Sequence, residues 1–161
     1  MEICYSPLVG KAVNLDHVAD EMFSQRMLGD GMAIAPEARE VYSPVAGEIT
    51  MVYETQHAIG IKTETGIEIL LHIGIDTVDM DGEGFAVVVA KGERIAAGEP
   101  LATVDCGKVA AAGHSVVVVV TVVNAAELTV VTPLIGDGSG DNNGGDCKTV
   151  SAGSPIIDVE Q

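Results

Sequence analysis

The sequence predicts an all-β domain, an antiparallel β-sandwich or barrel built by internal duplication, with one short helix at most. Three observations predict it. Short Val/Ile segments follow one another, separated by Gly, Pro, Asn and Asp clusters, and Gly alone accounts for 19 of 161 residues; this is how all-β chains are punctuated. The core must be aliphatic, because there is no Trp and only two Phe and three Tyr in a chain that is 47% hydrophobic. Two segments recur. Tyr5-Ser6-Pro7-Leu8-Val9-Gly10-Lys11 returns as Tyr42-Ser43-Pro44-Val45-Ala46-Gly47-Glu48. Ile95-Ala96-Ala97-Gly98-Glu99-Pro100-Leu101 returns as Val150-Ser151-Ala152-Gly153-Ser154-Pro155-Ile156. A duplicated β-unit that closes on itself leaves few free edges.

Each element follows from local pattern. Strands are expected near Ile3–Tyr5, Gly10–Asn14, Ala33–Pro36, Glu40–Ser43, Gly47–Val52, Ala58–Thr63 and Glu68–Ile73. Further strands are expected near Arg94–Ile95, Pro100–Asp105, Val116–Val123, Thr129–Val131 and Ile156–Val159. Thr63-Glu64-Thr65-Gly66 separates two alternating apolar runs and reads as a hairpin loop; Asp81-Gly82-Glu83-Gly84 reads as a turn. The one helical pattern starts at His17 with Asp16 as N-cap, and runs to about Met27 before Gly29. Val18, Met22 and Phe23 would share its inner face. Gly136 to Gly145 carries Asp at alternate positions but lacks the closing Glu and flanking helices of a calcium loop, so it reads as a solvated loop.

Charge narrows the partners. Eight Lys and Arg against 24 Asp and Glu leave a formal net charge of −16. That argues against nucleic acid and anionic membrane, both of which need basic patches, and suits a cationic protein partner; direct membrane insertion is not expected either. No apolar run reaches a membrane span. Met1-Glu2-Ile3-Cys4 does not resemble a signal peptide, and Cys4, Cys106 and Cys147 form no CxxC pair. A reduced, cytoplasmic setting is expected.

Of four histidines, His17 and His114 read as structural. His57 and His72 are different. The interval between them holds a strand, a hairpin turn and a returning strand, so the two rings can lie side by side. Thr55 stands two residues before His57 and is expected on the same side. A neutral imidazole is a nucleophile near pH 7, and a second His with a Thr hydroxyl could donate to phosphoryl oxygens. Two His with an added carboxylate would equally suit zinc. Spacing alone leaves both uses open.

The assembled motifs resemble one family. Met27-Leu28-Gly29-Asp30-Gly31-Met32-Ala33-Ile34-Ala35-Pro36, Tyr42-Ser43-Pro44-Val45-Ala46-Gly47, Thr55-Gln56-His57-Ala58, Leu71-His72-Ile73-Gly74-Ile75-Asp76-Thr77-Val78 and Gly82-Glu83-Gly84-Phe85 appear in the order found in glucose-type (type 1) enzyme IIA domains. These domains belong to the bacterial phosphoenolpyruvate-dependent sugar phosphotransferase system. The resemblance implies a single enzyme IIA domain over residues 1–161, a duplicated hybrid sandwich, and phosphotransferase activity through a phosphohistidine. It implies that His72 accepts the phosphoryl group from HPr and passes it to a sugar permease's IIB domain, with His57 and Thr55 in support. Asp30 and Asp76 would flank the site and meet a basic residue of the donor. Ile59, Leu71, Ile73 and Val78 would form the apolar partner surface, the first three in places where the family usually carries Phe. No cofactor is required by the resemblance; zinc on His57 and His72 is the competing use. Residues 106 to 145 match poorly, with Asn124 as candidate for an Asn that ends a family strand.

Rival readings have weaker support. A lipoyl or biotinyl carrier needs a hairpin Lys beside Met, which neither Lys62 nor Lys91 has, and a zinc peptidase of similar fold needs His-x-His, which is absent. A non-catalytic binding module of the same fold would not need both histidines.

Overall fold

The computed structural model describes residues 2–15, 18, 20–25, 27, 29–124, 130–133, 148–150 and 155–160. Fourteen strands are seen among them. In chain order they are β1 Glu2–Tyr5, β2 Gly10–Asn14, β3 Asp30–Pro36, β4 Glu40–Tyr42, β5 Gly47–Val52, β6 Ala58–Lys62 and β7 Glu68–Ile73. Then follow β8 Phe85–Val87, β9 Arg94–Ile95, β10 Pro100–Val104, β11 Val118–Val122, β12 Val130–Pro133, β13 Lys148–Val150 and β14 Pro155–Glu160. They form an eight-stranded sheet in the order β13-β2-β3-β11-β7-β6-β5-β9 and two three-stranded sheets, β1-β14-β12 and β4-β10-β8. The pairings are antiparallel, as expected for a sandwich.

The first sequence repeat is a structural repeat. The Tyr5 N–H donates to Pro44 O at 2.8 Å, and the Tyr42 N–H returns the bond to Pro7 O at 2.7 Å. The buried Ser6 hydroxyl donates to Leu8 O, and its counterpart Ser43 to Val45 O, at 2.8 and 2.6 Å. Tyr5 stands opposite Pro155 and Tyr42 opposite Pro100, so the strands that open each copy of the second repeat pair equivalently. A Cβ at Gly10 would lie 2.2 Å from Ala35 O, and one at Gly47 2.4 Å from Lys62 O. Only glycine permits that approach, in both copies.

The Val-rich run becomes β11, the centre of the large sheet, between β3 and β7. All five of its residues are buried, because both faces are covered. One face joins the main aliphatic core, with Ile34, Ile49, Ile59, Ile61, Leu71 and Ile73. The other face meets a second apolar cluster of Leu15, Val18, Phe23, Ala33, Ile75 and Val119. Thr121 lies in this strand fully buried, and its hydroxyl has no hydrogen-bond partner. Asn124, just after β11, accepts from the Glu68 N–H at 3.0 Å and donates to Gly66 O at 2.9 Å. It thereby ties down the predicted 63–66 hairpin loop.

The expectation of one short helix at most is corrected: two short helices are present among the described residues. The first, α1, is Glu21–Ser24, capped by Asp20, whose carboxylate accepts from the Met22 N–H at 2.8 Å. It is shorter than predicted because Asp20, a good N-cap, lies inside the predicted span. The second, α2, is Cys106–Ala111, capped by Asp105 through the Lys108 N–H at 3.1 Å. The sequence pattern ends a strand at Asp105, yet this residue caps a run containing the helix formers Lys108, Ala110 and Ala111. Strands β8 and β13 were also not anticipated. Asp16, His17, Gly136–Gly145 and Cys147 lie outside the described residues. No helix among the described residues is long and apolar enough to cross a membrane.

Candidate active site

The site is made by two adjacent strands and the turns that enter and leave them. The Tyr53 N–H donates to Ala58 O at 3.1 Å and the Gln56 N–H to Tyr53 O at 2.8 Å, closing the turn between β5 and β6. Gln56 adopts a left-handed φ of 57°. Thr55 therefore sits in the turn, and β6 begins only at Ala58. The expected neighbourhood of Thr55 and His57 is real: Thr55 Oγ1 lies 2.6 Å from His57 Nδ1. Its cause is this left-handed turn rather than strand alternation.

On the neighbouring strand, Ala58 stands opposite His72 and Ile59 opposite Leu71. The Ile73 N–H donates to His57 O at 2.7 Å, locking the ends of the two strands together. After Ile73 the chain curls sharply. Gly74 has φ 78° and Asp76 φ 59°. The Thr77 hydroxyl donates back to Ile73 O at 2.6 Å. A Cβ at Gly74 would lie 2.4 Å from Thr77 Cγ2, so this curl requires glycine. The curl brings Gly74 O to 2.6 Å from His72 Nδ1.

The two rings meet at a centroid distance of 4.9 Å and an angle of 76°. Phe23 abuts His72 edge-on at 5.1 Å. Tyr53 stacks on His57 at 5.2 Å, with the planes within 4°. His57 is buried, and burial, with a smaller contribution from His72, pulls its pKa from 6.5 down to about 4. Burial also lowers His72, against the raising effects of the Gly74 carbonyl bond and of Asp20 and Asp76. Both imidazoles are consequently neutral at pH 7.

The hydrogen bonds then assign the nitrogens. A carbonyl oxygen can only accept, so His72 Nδ1 carries the proton and Nε2 keeps its lone pair. That is a nucleophile held in one tautomer at neutral pH. If the Thr55 hydroxyl donates to His57 Nδ1, His57 presents Nε2–H as a donor for an anionic group bound beside it. Among the described residues no cluster of three or more His, Cys, Asp or Glu could hold a metal ion, so zinc would find among them only the two imidazoles at this site.

Three expected partner-surface residues are corrected. Ile59, Leu71 and Ile73 are fully buried in the main core. On a strand, neighbours of an outward-facing residue must face inward, so Leu71 and Ile73 point away from the face that carries His72. Asp30 lies farther out than Asp76. It stands opposite Val122, which stands opposite Ile69, whereas His72 stands opposite Val119. Asp30 is thus three residues along and two strands across, about 10 Å in each direction. Asp76, by contrast, is exposed and lies close enough to raise the His72 pKa. Val78 belongs to the 3₁₀ turn Thr77–Met80 that follows the curl.

Asp20, Phe23 and Tyr53 were missed as site residues. Asp20, like Asp76, lies close enough to raise the His72 pKa. Its visible signal was its fitness as an N-cap just before Met22 and Phe23. Aromatic rings do flank both histidines, but they come from α1 and the 53–56 turn rather than from positions 59, 71 and 73. Tyr53 and Met22 are about half exposed beside the site.

Comparison with known proteins agrees with this geometry. The family model described as phosphoenolpyruvate-dependent sugar phosphotransferase system, EIIA 1, matches residues 2–128. The chain is 45% identical over 129 residues to the PTS system glucose-specific EIIA component of Halalkalibacterium halodurans, covering 80% of this chain and 75% of that protein. It is 39% identical over 128 residues to the PTS system glucoside-specific EIICBA component of Staphylococcus carnosus, covering 80% of this chain but only 18% of that longer protein. The solved glucose permease IIA from Mycoplasma capricolum superposes with a TM-score of 0.79 at 35% identity, covering 97% of this chain and 94% of that one. The chain therefore belongs to the EIIA type 1 family of the phosphoenolpyruvate-dependent sugar phosphotransferase system.

Proposed function

We propose that this chain is a phosphohistidine carrier that takes a phosphoryl group from HPr and hands it to the IIB domain of a sugar permease. The observation that carries the reading is the bond from His72 Nδ1 to Gly74 O, which leaves Nε2 as the free nucleophilic nitrogen beside His57. In the accepting step the Nε2 lone pair forms the bond to phosphorus. The bond from phosphorus to the donor breaks, and its electron pair leaves with the donor. In the delivering step a nucleophile of the IIB domain forms the new bond to phosphorus with its own lone pair, while the Nε2–phosphorus bond breaks and its electron pair returns to His72. His57 and Thr55 act on the phosphoryl oxygens, and His57 is needed more to pass the group on than to receive it: a donor aimed where negative charge grows lowers the barrier to delivery. Asp20 and Asp76 supply negative charge at the rim for a cationic donor protein. The reading places the carrier in the cytoplasm, where phosphoenolpyruvate is made.

The test is direct. The protein is incubated with phosphoenolpyruvate, enzyme I and HPr, and the modified residue is mapped. An acid-labile, base-stable label on His72 is expected. Label that persists in His72→Gln would overturn the assignment.

A further inference from the structure

We infer that Gln56 is a positioning residue for phosphoryl transfer: its side-chain amide, clamped on the Val87 backbone, holds the left-handed turn that aims His57 at His72. The inference rests on the carrier reading above.

Three non-glycine residues among those described adopt positive φ, namely Gln56, Asp76 and Asp81, and all lie in the turns around the site. That region is unfavourable for a residue with a Cβ, and it persists only where surrounding contacts impose it. For Gln56 the imposing contact is visible. Gln56 Oε1 accepts from the Val87 N–H at 3.1 Å, a bond spanning 31 residues. The other end of the amide lies over the turn after Asp81, where a Cβ on Gly82 would come within 3.3 Å of Gln56 Nε2. Gly82 itself has φ 83°. The Gly82-Glu83-Gly84-Phe85 segment thus leaves the room that the amide occupies.

The clamp matters because of what Gln56 separates. Thr55 precedes it and His57 follows it, yet Thr55 Oγ1 and His57 Nδ1 are 2.6 Å apart. In an extended chain the hydroxyl and the ring would be held by strand alternation; here β6 starts only at Ala58. The left-handed residue between them must bring them together. The ring of Tyr53, stacked on His57, belongs to the same turn and is held through the Gln56 N–H to Tyr53 O bond at 2.8 Å. Gln56 touches neither histidine's reacting nitrogen. It acts through the orientation of His57.

Two variants separate this role from general stability. Gln56→Met keeps the length and loses the acceptor. Gln56→Asn keeps the amide and tolerates the left-handed backbone, but is one methylene too short to reach Val87. Labelling of His72 by phospho-HPr should stay within about twofold of wild type. Delivery to a purified glucose-type IIB domain should fall about tenfold to a hundredfold, as expected when a transition-state donor is misaimed. The His57 ring protons, followed by NMR, should titrate closer to pH 6.5 than in wild type. Delivery at the wild-type rate with an unchanged His57 titration in both variants would overturn the inference. So would equal loss in both half-reactions with an unchanged titration, which would indicate docking. If the wild-type protein takes no label at His72, the carrier reading fails; the NMR titration of Gln56→Met still decides whether the clamp sets His57.

Discussion

Lowering the pH from 7 to 5 should destabilise the fold through His57. In the folded chain its pKa is about 4, against 6.5 for an unperturbed imidazole. Between these values the unfolded chain binds a proton that the folded chain refuses. The contribution of His57 is therefore fully present above about pH 6.5, declines as the pH falls, and is gone below about 4. At full strength the difference corresponds to about 3 kcal/mol. The ring lies near the surface, against the half-exposed Tyr53, so solvent screens part of this. Between pH 7 and pH 5, which avoids the isoelectric point near 4.3, roughly 1 to 2 kcal/mol should be lost. For a chain of this size that lowers Tm by about 2 to 6 °C. Calorimetry of wild type and His57→Gln across this range isolates the contribution, since the carboxylates titrate in both proteins. The variant should lose correspondingly less Tm on acidification. Parallel curves for the two proteins, or an NMR midpoint for His57 near 6.5 in wild type, would refute the reasoning.

Three other outcomes follow from the corrected geometry. Binding to HPr should weaken with added salt, and Asp20→Asn and Asp76→Asn should each flatten that dependence; association measured at low and high salt decides it. Leu71→Ala should cost about 3 to 5 kcal/mol in urea denaturation, because it empties a core site, whereas a surface role would leave stability within about 0.5 kcal/mol. Thr121→Val should raise stability by about 1 kcal/mol in the same assay, since it removes a buried hydroxyl that has no partner; a loss of stability would mean that the hydroxyl is satisfied in solution.

Much of the molecule is legible in local sequence. The Pro-x-x-Gly turns, the alternating strands and the paired repeat segments all report conformational preferences of near neighbours, and the reciprocal Tyr5 and Tyr42 bonds show the repeat as geometry. The histidine pair is legible for the same reason: one hairpin lies between its members. Even the inward direction of Leu71 and Ile73 was available, since strand parity places them opposite His72; the resemblance to a family with aromatic residues there pointed the other way. What only the tertiary structure decided is which distant residues share the site. Asp30 and Asp20 are both acids in the same stretch of chain, and no local pattern ranks them. The register of β3 on β11, and of β11 on β7, carries Asp30 away from His72, while packing of α1 against the outer face of the sheet puts Phe23 on the His72 ring and Asp20 within electrostatic reach. Register and packing are set by contacts between residues far apart in the chain, where side-chain volume and burial decide and short-range periodicity carries no information.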